Sequence, residues 1–364
     1  MQIIKHTIPH AFQGCDAVVQ LDGDRAGTEI RLLQLTDMQM IDAAQRRTPD
    51  RIRPDEIEAW LPERVDALCG DHIRSLIAQT HPDMIFITGD VTYGSFDDTG
   101  RSLVWFCELM DSFKIPWAPV FGNHDNESRM GVDWQCEQLE KSSYCLFKRG
   151  NVSGNGNYTV GVAVGECLVR VLHLMDSNGC GGGKDGEVVK EQGIFADQWA
   201  QIHDHTAAIA AAQGRVVPAF FGCHFPLEGF RLAEEAKGYR TAERDQYTIG
   251  VDVPASDGDF GCKREWFNVI KSECDLIPFL HEHGIEAVFA GHCHSINTCI
   301  SYEGIRWSFG LKTGQYDYHV PGQVGGTLVR LNGDHFDIQH VPSLVPYSPY
   351  PVGAPMFNGF FAKG

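Results

Sequence analysis

No run of about 18 uninterrupted apolar residues occurs in this 364-residue chain, and its start, MQIIKHTIPH, holds no apolar stretch of signal-peptide length. Membrane spanning and export are therefore not expected. Basic residues are also scarce, with 30 Lys and Arg against 48 Asp and Glu and a formal charge of -18. Such a field repels polyanions, and non-specific nucleic-acid binding depends on Lys and Arg neutralising phosphates, so a nucleic-acid partner is not expected. The twelve cysteines include no CxxC pair. They read as reduced, mostly buried thiols of a cytoplasmic protein rather than a disulfide framework. The glycine-rich run NGCGGGKDG is no P-loop, because Lys184 is followed by Asp185 instead of Ser or Thr. What the chain does have is hydrophobic residues, 43% of the total, enough for a large core.

Strand and helix patterns alternate along the first 290 residues. RLLQLT (31–36) reads as a buried strand ending at Asp37, and Val65, Leu68, Ile73, Leu76 and Ile77 lie on one stripe of a helix. MIFIT (84–88) is a second strand, a helix spans about 99–113, and PWAPVF (116–121) is a third strand. Successive strand, helix, strand units imply a parallel sheet. A helix near 131–142, strands at about 157–164 and 167–175, a helix near 190–212, RVVPAFF (215–221) and EAVFA (286–290) continue the pattern. From about 295 short strands replace helical periodicity, as a second sheet packed on the first would require. Residues 226–274 have no clear period and read as a loop insertion, and 342–364 as an extended tail.

Five short runs follow the apolar strands: LTDMQ (35–39), TGDVTY (88–93), GNHDN (122–126), GCH (222–224) and GHCH (291–294). Open α/β sheets place their ligands just past the carboxyl ends of such strands. In chain order these are the five signatures of the calcineurin-like metallophosphoesterases, which the chain resembles from about 30 to 330. TGDVTYGSFDD, PWAPVFGNHDNES and YEGIRWSFGLKTGQYDYHVPGQVGGTLVRL are similar to the Dcr2-type branch, close to the purple acid phosphatases. The resemblance implies an α/β fold, a four-layered α/β/β/α sandwich of two mixed β-sheets flanked by helices, and one domain over 1–364.

Phosphoester hydrolysis needs an electrophile to draw charge from the phosphoryl oxygens and a deprotonated water, and two metals about 3.5 to 4 Å apart supply both. By resemblance Asp90 bridges the pair. Asp37 and His294 complete one shell, and Asn123, His224 and His292 the other. The mixed O and N donors suit Mn, Fe or Zn. His124 is expected to stabilise the phosphoryl charge and protonate the leaving group, with Asp125 orienting its imidazole, and the nucleophile is a metal-bridging hydroxide.

Two positions depart from the pattern. Most relatives carry Asp-Xaa-His in the first run, where this chain has Asp37-Met38-Gln39. Gln39 could offer a neutral carbonyl oxygen to the first metal. Tyr93 matches the GDxxY of purple acid phosphatases, where the tyrosine binds iron, but aromatic packing or substrate contact is the favoured reading. Arg129, Lys184, Arg240, Lys263, Arg264 and Lys312 are candidate substrate grips, each also readable as a surface cation. His203 and His205 read as residues of a surface helix. The expected activity is hydrolysis of a small phosphomonoester or phosphodiester. The alternatives are a catalytically weak metal-binding scaffold and a nuclease of the same superfamily, which the charge opposes.

Overall fold

The computed structural model describes residues 1–25, 27–42, 62–94, 99–179, 191–250, 255, 258–320 and 322–346. In chain order the strands are β1 (Gln2–Ile4), β2 (Ala17–Leu21), β3 (Ile30–Leu35), β4 (Met84–Thr88), β5 (Trp117–Val120), β6 (Tyr158–Val164), β7 (Cys167–Leu174), β8 (Gly193–Ile194), β9 (Ala219–Gly222), β10 (Tyr247–Ile249), β11 (Gly261–Lys263), β12 (Lys271–Ser272), β13 (Ile285–Ala290), β14 (Cys299–Tyr302), β15 (Ile305–Phe309), β16 (Gly325–Asn332) and β17 (His335–Pro342). The helices are α1 (Pro62–Thr80), α2 (Arg101–Ser112), α3 (Val132–Lys141), α4 (Ala196–Gln213), α5 (Glu228–Ala236) and α6 (Leu276–Glu282).

Two mixed sheets carry the fold. The larger runs β1-β2-β6-β7-β9-β13-β15-β14 and the smaller β17-β16-β3-β4-β5. Side chains alternate across a pleated strand, so the central strands of the larger sheet serve two cores. Phe220 and Phe289 join the cluster shared with the smaller sheet, α1 and α2, whereas their neighbours Phe221, Val288 and Ala290 join a second cluster with Trp199 and Ile202 of α4 and Leu276 and Leu280 of α6. This is the expected four-layered α/β/β/α sandwich. Strands β4, β5 and β9 are buried at every position, which is why they read as unbroken apolar runs.

Three expectations need correction. The strands after 295 do not build a sheet of their own: β14 and β15 extend the larger sheet, and β16 and β17 the smaller one. Strand content alone cannot say which free edge a strand joins. The core also begins before residue 30, because β2 pairs in parallel with β6 and buries Ala17, Val18 and Val19. The insertion is not featureless either. It contains α5 and the antiparallel pair β10 and β11. The glycine-rich run at 180–186, residues 43–61 and the tail from 347 lie outside the described residues.

Candidate metal centre

Strands β3, β4 and β5 are mutually parallel, as are β9 and β13, and the five runs sit at their carboxyl ends. The sandwich thereby brings Asp37, Asp90, Asn123, His224, His292 and His294 together from a stretch of 258 residues. Close approach is built into two glycines. A Cβ on Gly122 would overlap Asp90 Oδ1, and one on Gly291 would overlap the Thr36 hydroxyl. Asp37, Gln39, Asp90 and His292 all have positive φ, at 53°, 47°, 54° and 69°. Non-glycine residues held there cost on the order of 1 to 3 kcal/mol each, a strain that clusters at functional sites.

One half of the cluster forms around Asn123. Its Oδ1 lies 3.0 Å from His224 Nε2 and 3.0 Å from His292 Nδ1, and His224 Nε2 lies 3.4 Å from Asp90 Oδ1. His224 Nδ1 donates to the Thr88 carbonyl at 2.8 Å, which turns the Nε2 lone pair inward. In the other half, Asp37 Oδ1 is buried with no hydrogen-bond partner and lies 3.3 Å from His294 Nε2. His294 Nδ1 donates to the Tyr318 carbonyl at 3.0 Å, so its Nε2 also offers a lone pair. Acceptors facing acceptors need a cation between them, a proton or a metal ion. Ligand atoms of Asp37, Asp90 and His224 all lie within 4.8 Å of one another. Separations of 3.0 to 3.4 Å between donors match the edges of a coordination shell with bonds of about 2.0 to 2.2 Å.

The electrostatics agree. Burial works to raise the Asp37 carboxyl, but the neighbouring imidazoles of His294 and His224 outweigh it and hold the group at about 2. Burial opposes ionisation of Asp90 as well, and His224 and His124 pull it far below the usual carboxylate range. Burial would lower His224, yet the Asp90 charge and hydrogen bond and the Asp37 charge push it up to about 9. His292, lowered to about 3 by burial and the His224 charge, is a neutral imidazole suited to ligation.

His124 stands at the edge of the cluster, its backbone N–H donating to Asp90 Oδ1 at 2.9 Å. Its side chain pairs with Glu127, Nδ1 to Oε2 at 2.9 Å. The residue expected to orient it, Asp125, does something else. Its carboxylate accepts from the N–H groups of Val91, Thr92 and Gly122, tying the β4 and β5 loops together. Asp125 follows His124 directly, while Glu127 returns beneath it one turn of 3-10 helix later. Burial lowers the His124 imidazole, but Asp90 and Glu127 outweigh it and raise the group.

Tyr93 stacks on His124, ring centroids 4.0 Å apart and planes 20° apart, and meets Tyr316 edge-on at 5.8 Å. That places it in aromatic packing at the mouth. Gln39 does not present its carbonyl to the cluster. Its Oε1 accepts from Lys312 at 2.6 Å, while Nε2 lies 3.1 Å from His294 Nε2 and 3.4 Å from Asp90 Oδ2. Lys312 is itself buried and also donates to the Asp37 carbonyl at 3.0 Å, so it is no surface cation. Lys263 is likewise buried, held by Glu234 and Asp245, and Arg240 also pairs with Asp245. Arg264 reaches Thr248, Arg129 is exposed, and Lys184 lies outside the described residues. His203 does lie on the exposed side of α4, and its Nδ1 meets His283 Nε2 at 2.9 Å, a neighbour its sequence surroundings did not signal. A cavity of about 700 Å³, lined in part by Glu265, Trp266 and Tyr318, holds none of the cluster residues in its lining and is linked to them through Tyr318, whose ring stacks on His294 at 4.2 Å.

Residues 30–295 match the family described as calcineurin-like phosphoesterase, which spans most of the chain and all five runs. The chain belongs to that family. Membership places it among hydrolases, and the family uses a dinuclear metal centre. A relative from Arabidopsis thaliana, probable inactive purple acid phosphatase 14, is 24% identical over 320 residues, covering 81% of this chain and 72% of the relative. Phosphatase DCR2 of Saccharomyces cerevisiae is 27% identical over 237 residues, covering 60% of this chain and 37% of that protein. Among solved structures, a dimetal phosphatase from Danio rerio aligns over 86% of this chain and 96% of its own, at 12% identity and a TM-score of 0.48. The six residues around the cluster fit a metal of this family: Asp37 Oδ1 is orphaned, and the Nε2 atoms of His224 and His294 face inward.

Proposed function

We propose that this phosphoesterase hydrolyses a small phosphomonoester or phosphodiester, with Asp37, Asp90, Asn123, His224, His292 and His294 holding the metal. The observation that carries this reading is the convergence of their lone pairs beside an imidazole that none of them uses, His124. Metal bound there supplies positive charge to the phosphoryl oxygens and lowers the pKa of a bound water. Mn, Fe or Zn suits the donor set.

The protein's own groups carry the rest. His124, held against Glu127 and with its pKa raised by the Asp90 and Glu127 charges against burial, is placed to meet the ester at the mouth and give its proton to the leaving oxygen. Tyr93 covers one face of that imidazole and limits its rotation. The neighbouring cavity is of a size for small-molecule ligands, which fall at about 300 to 1,000 Å³. The -18 charge supports a small ester over a nucleic acid. Eleven described cysteines, all free thiols, support a reducing compartment such as the cytoplasm.

The test is a manganese-loaded sample offered p-nitrophenyl phosphate and its bis ester. Cleavage of either is expected, and His124→Ala should lower turnover by about 10² to 10⁴ while metal content stays unchanged. A sample inert toward both esters overturns the reading in favour of a metal-binding scaffold, and cleavage of single-stranded DNA would favour the nuclease. Equal turnover in the variant removes His124 from the chemistry.

A further inference from the structure

Gln39 and Lys312 make the two halves of the centre unequal. Lys312 Nζ can only donate, and one of its partners, the Asp37 carbonyl at 3.0 Å, can only accept. Its 2.6 Å contact with Gln39 must therefore be to the amide oxygen, which fixes the amide the other way round from a metal ligand. Nε2 then faces inward, 3.1 Å from His294 Nε2 and 3.4 Å from Asp90 Oδ2. His294 has already committed Nδ1–H to the Tyr318 carbonyl, so the Gln39 N–H meets the Nε2 lone pair that a metal would need. The backbone leaves little room to move away, because Gln39 N–H is bonded to the Asp90 carbonyl at 2.9 Å.

We propose that the Gln39 amide, clamped by Lys312, occupies the first metal seat, so that the protein binds one ion tightly at Asp90, Asn123, His224 and His292 and a second only weakly. This rests on reading the site as the metal centre of a phosphoesterase. An amide nitrogen has no lone pair to give, and the buried Lys312 amino group holds the amide oxygen turned away from the seat. A second ion must strip the N–H from His294, turn the amide and break the Lys312 contact.

The experiment is manganese binding to the full-length, chelator-stripped protein, followed by calorimetry, by metal counting after gel filtration and by the spin-coupled signal of a manganese pair. The wild type should retain one equivalent, its second site at least about tenfold weaker. Gln39→Glu keeps the shape but offers one oxygen to Lys312 and another to the seat. It should retain two equivalents and show the coupled signal, as should Gln39→His. Lys312→Met, which frees the amide to turn, should tighten the second site in the same direction. Two ions of matched affinity in the wild type, or an unchanged second site in folded Gln39→Glu and Gln39→His, overturn the proposal. One tight ion with no ester cleaved would defeat the proposed function and leave this inference standing, whereas cleavage with two matched ions would do the reverse.

Discussion

At the scale of single residues, the six residues of the cluster were legible because each closely follows an apolar strand, and all but Asp37 have a glycine within the three residues before them. The support behind them was not. Asp125 was the natural partner for His124 by adjacency, yet Glu127 reaches the imidazole because the chain turns through a 3-10 helix there. Lys312 lies 273 residues from Gln39, and no local pattern announces their contact. The Glu127 pair leads to a prediction with a definite sign. Asp90 and Glu127 both raise the His124 imidazole against burial. Replacing Glu127 by Gln removes one of those charges and lowers the imidazole. A group that must be protonated to act is then lost at lower pH, so the alkaline limb of the turnover profile in Glu127→Gln should move down. Turnover at neutral pH should fall about tenfold or more, since general acid catalysis as a whole is worth about 10² to 10⁴. An alkaline limb that stays in place would show that Glu127 does not set the protonation of His124.

At the scale of elements, the fully apolar strands were readable, and so were the helices between them, because burial on both faces leaves a plain signature. What the pattern could not supply was the edge each late strand joins, since β15 and β16 both read as short strands but lie in different sheets. The junction of β5 with its loop is closely packed. Gly122 N–H donates to Asp125 Oδ2 at 2.8 Å, and the glycine backs directly onto Asp90. A methyl group there must push either the Asp90 carboxylate or the β4 loop out of place. Gly122→Ala should therefore cost about 1 to 3 kcal/mol in chemical denaturation and weaken manganese binding together, as overpacking of a close-packed site does. Loss of stability with metal affinity intact would mean that the strand end yields and Asp90 does not move.

At the scale of the whole molecule, two sheets meeting at one mouth bury two ionised carboxylates, and the fold needs positive charge there. Without metal, the His224 imidazolium supplies part of it, which is why Asp90 and Asp37 hold its pKa at about 9 against burial. The unfolded value is 6.5, so this proton stabilises the metal-free fold fully below 6.5 and its contribution is lost as pH rises through about 9. Metal requires the neutral imidazole and must displace that proton, so metal stabilisation runs the opposite way. Apparent affinity for manganese should strengthen about tenfold per pH unit across that window and level off above it, with one proton released per ion. At a free concentration of 100 times the dissociation constant an ion adds about 2.7 kcal/mol. At fixed manganese the gap in melting temperature between loaded and chelated protein should accordingly widen from pH 6.5 to 9. Calorimetry in buffers of different ionisation enthalpy reads the proton directly, and binding without proton release below pH 9 would remove His224 from the ligand set.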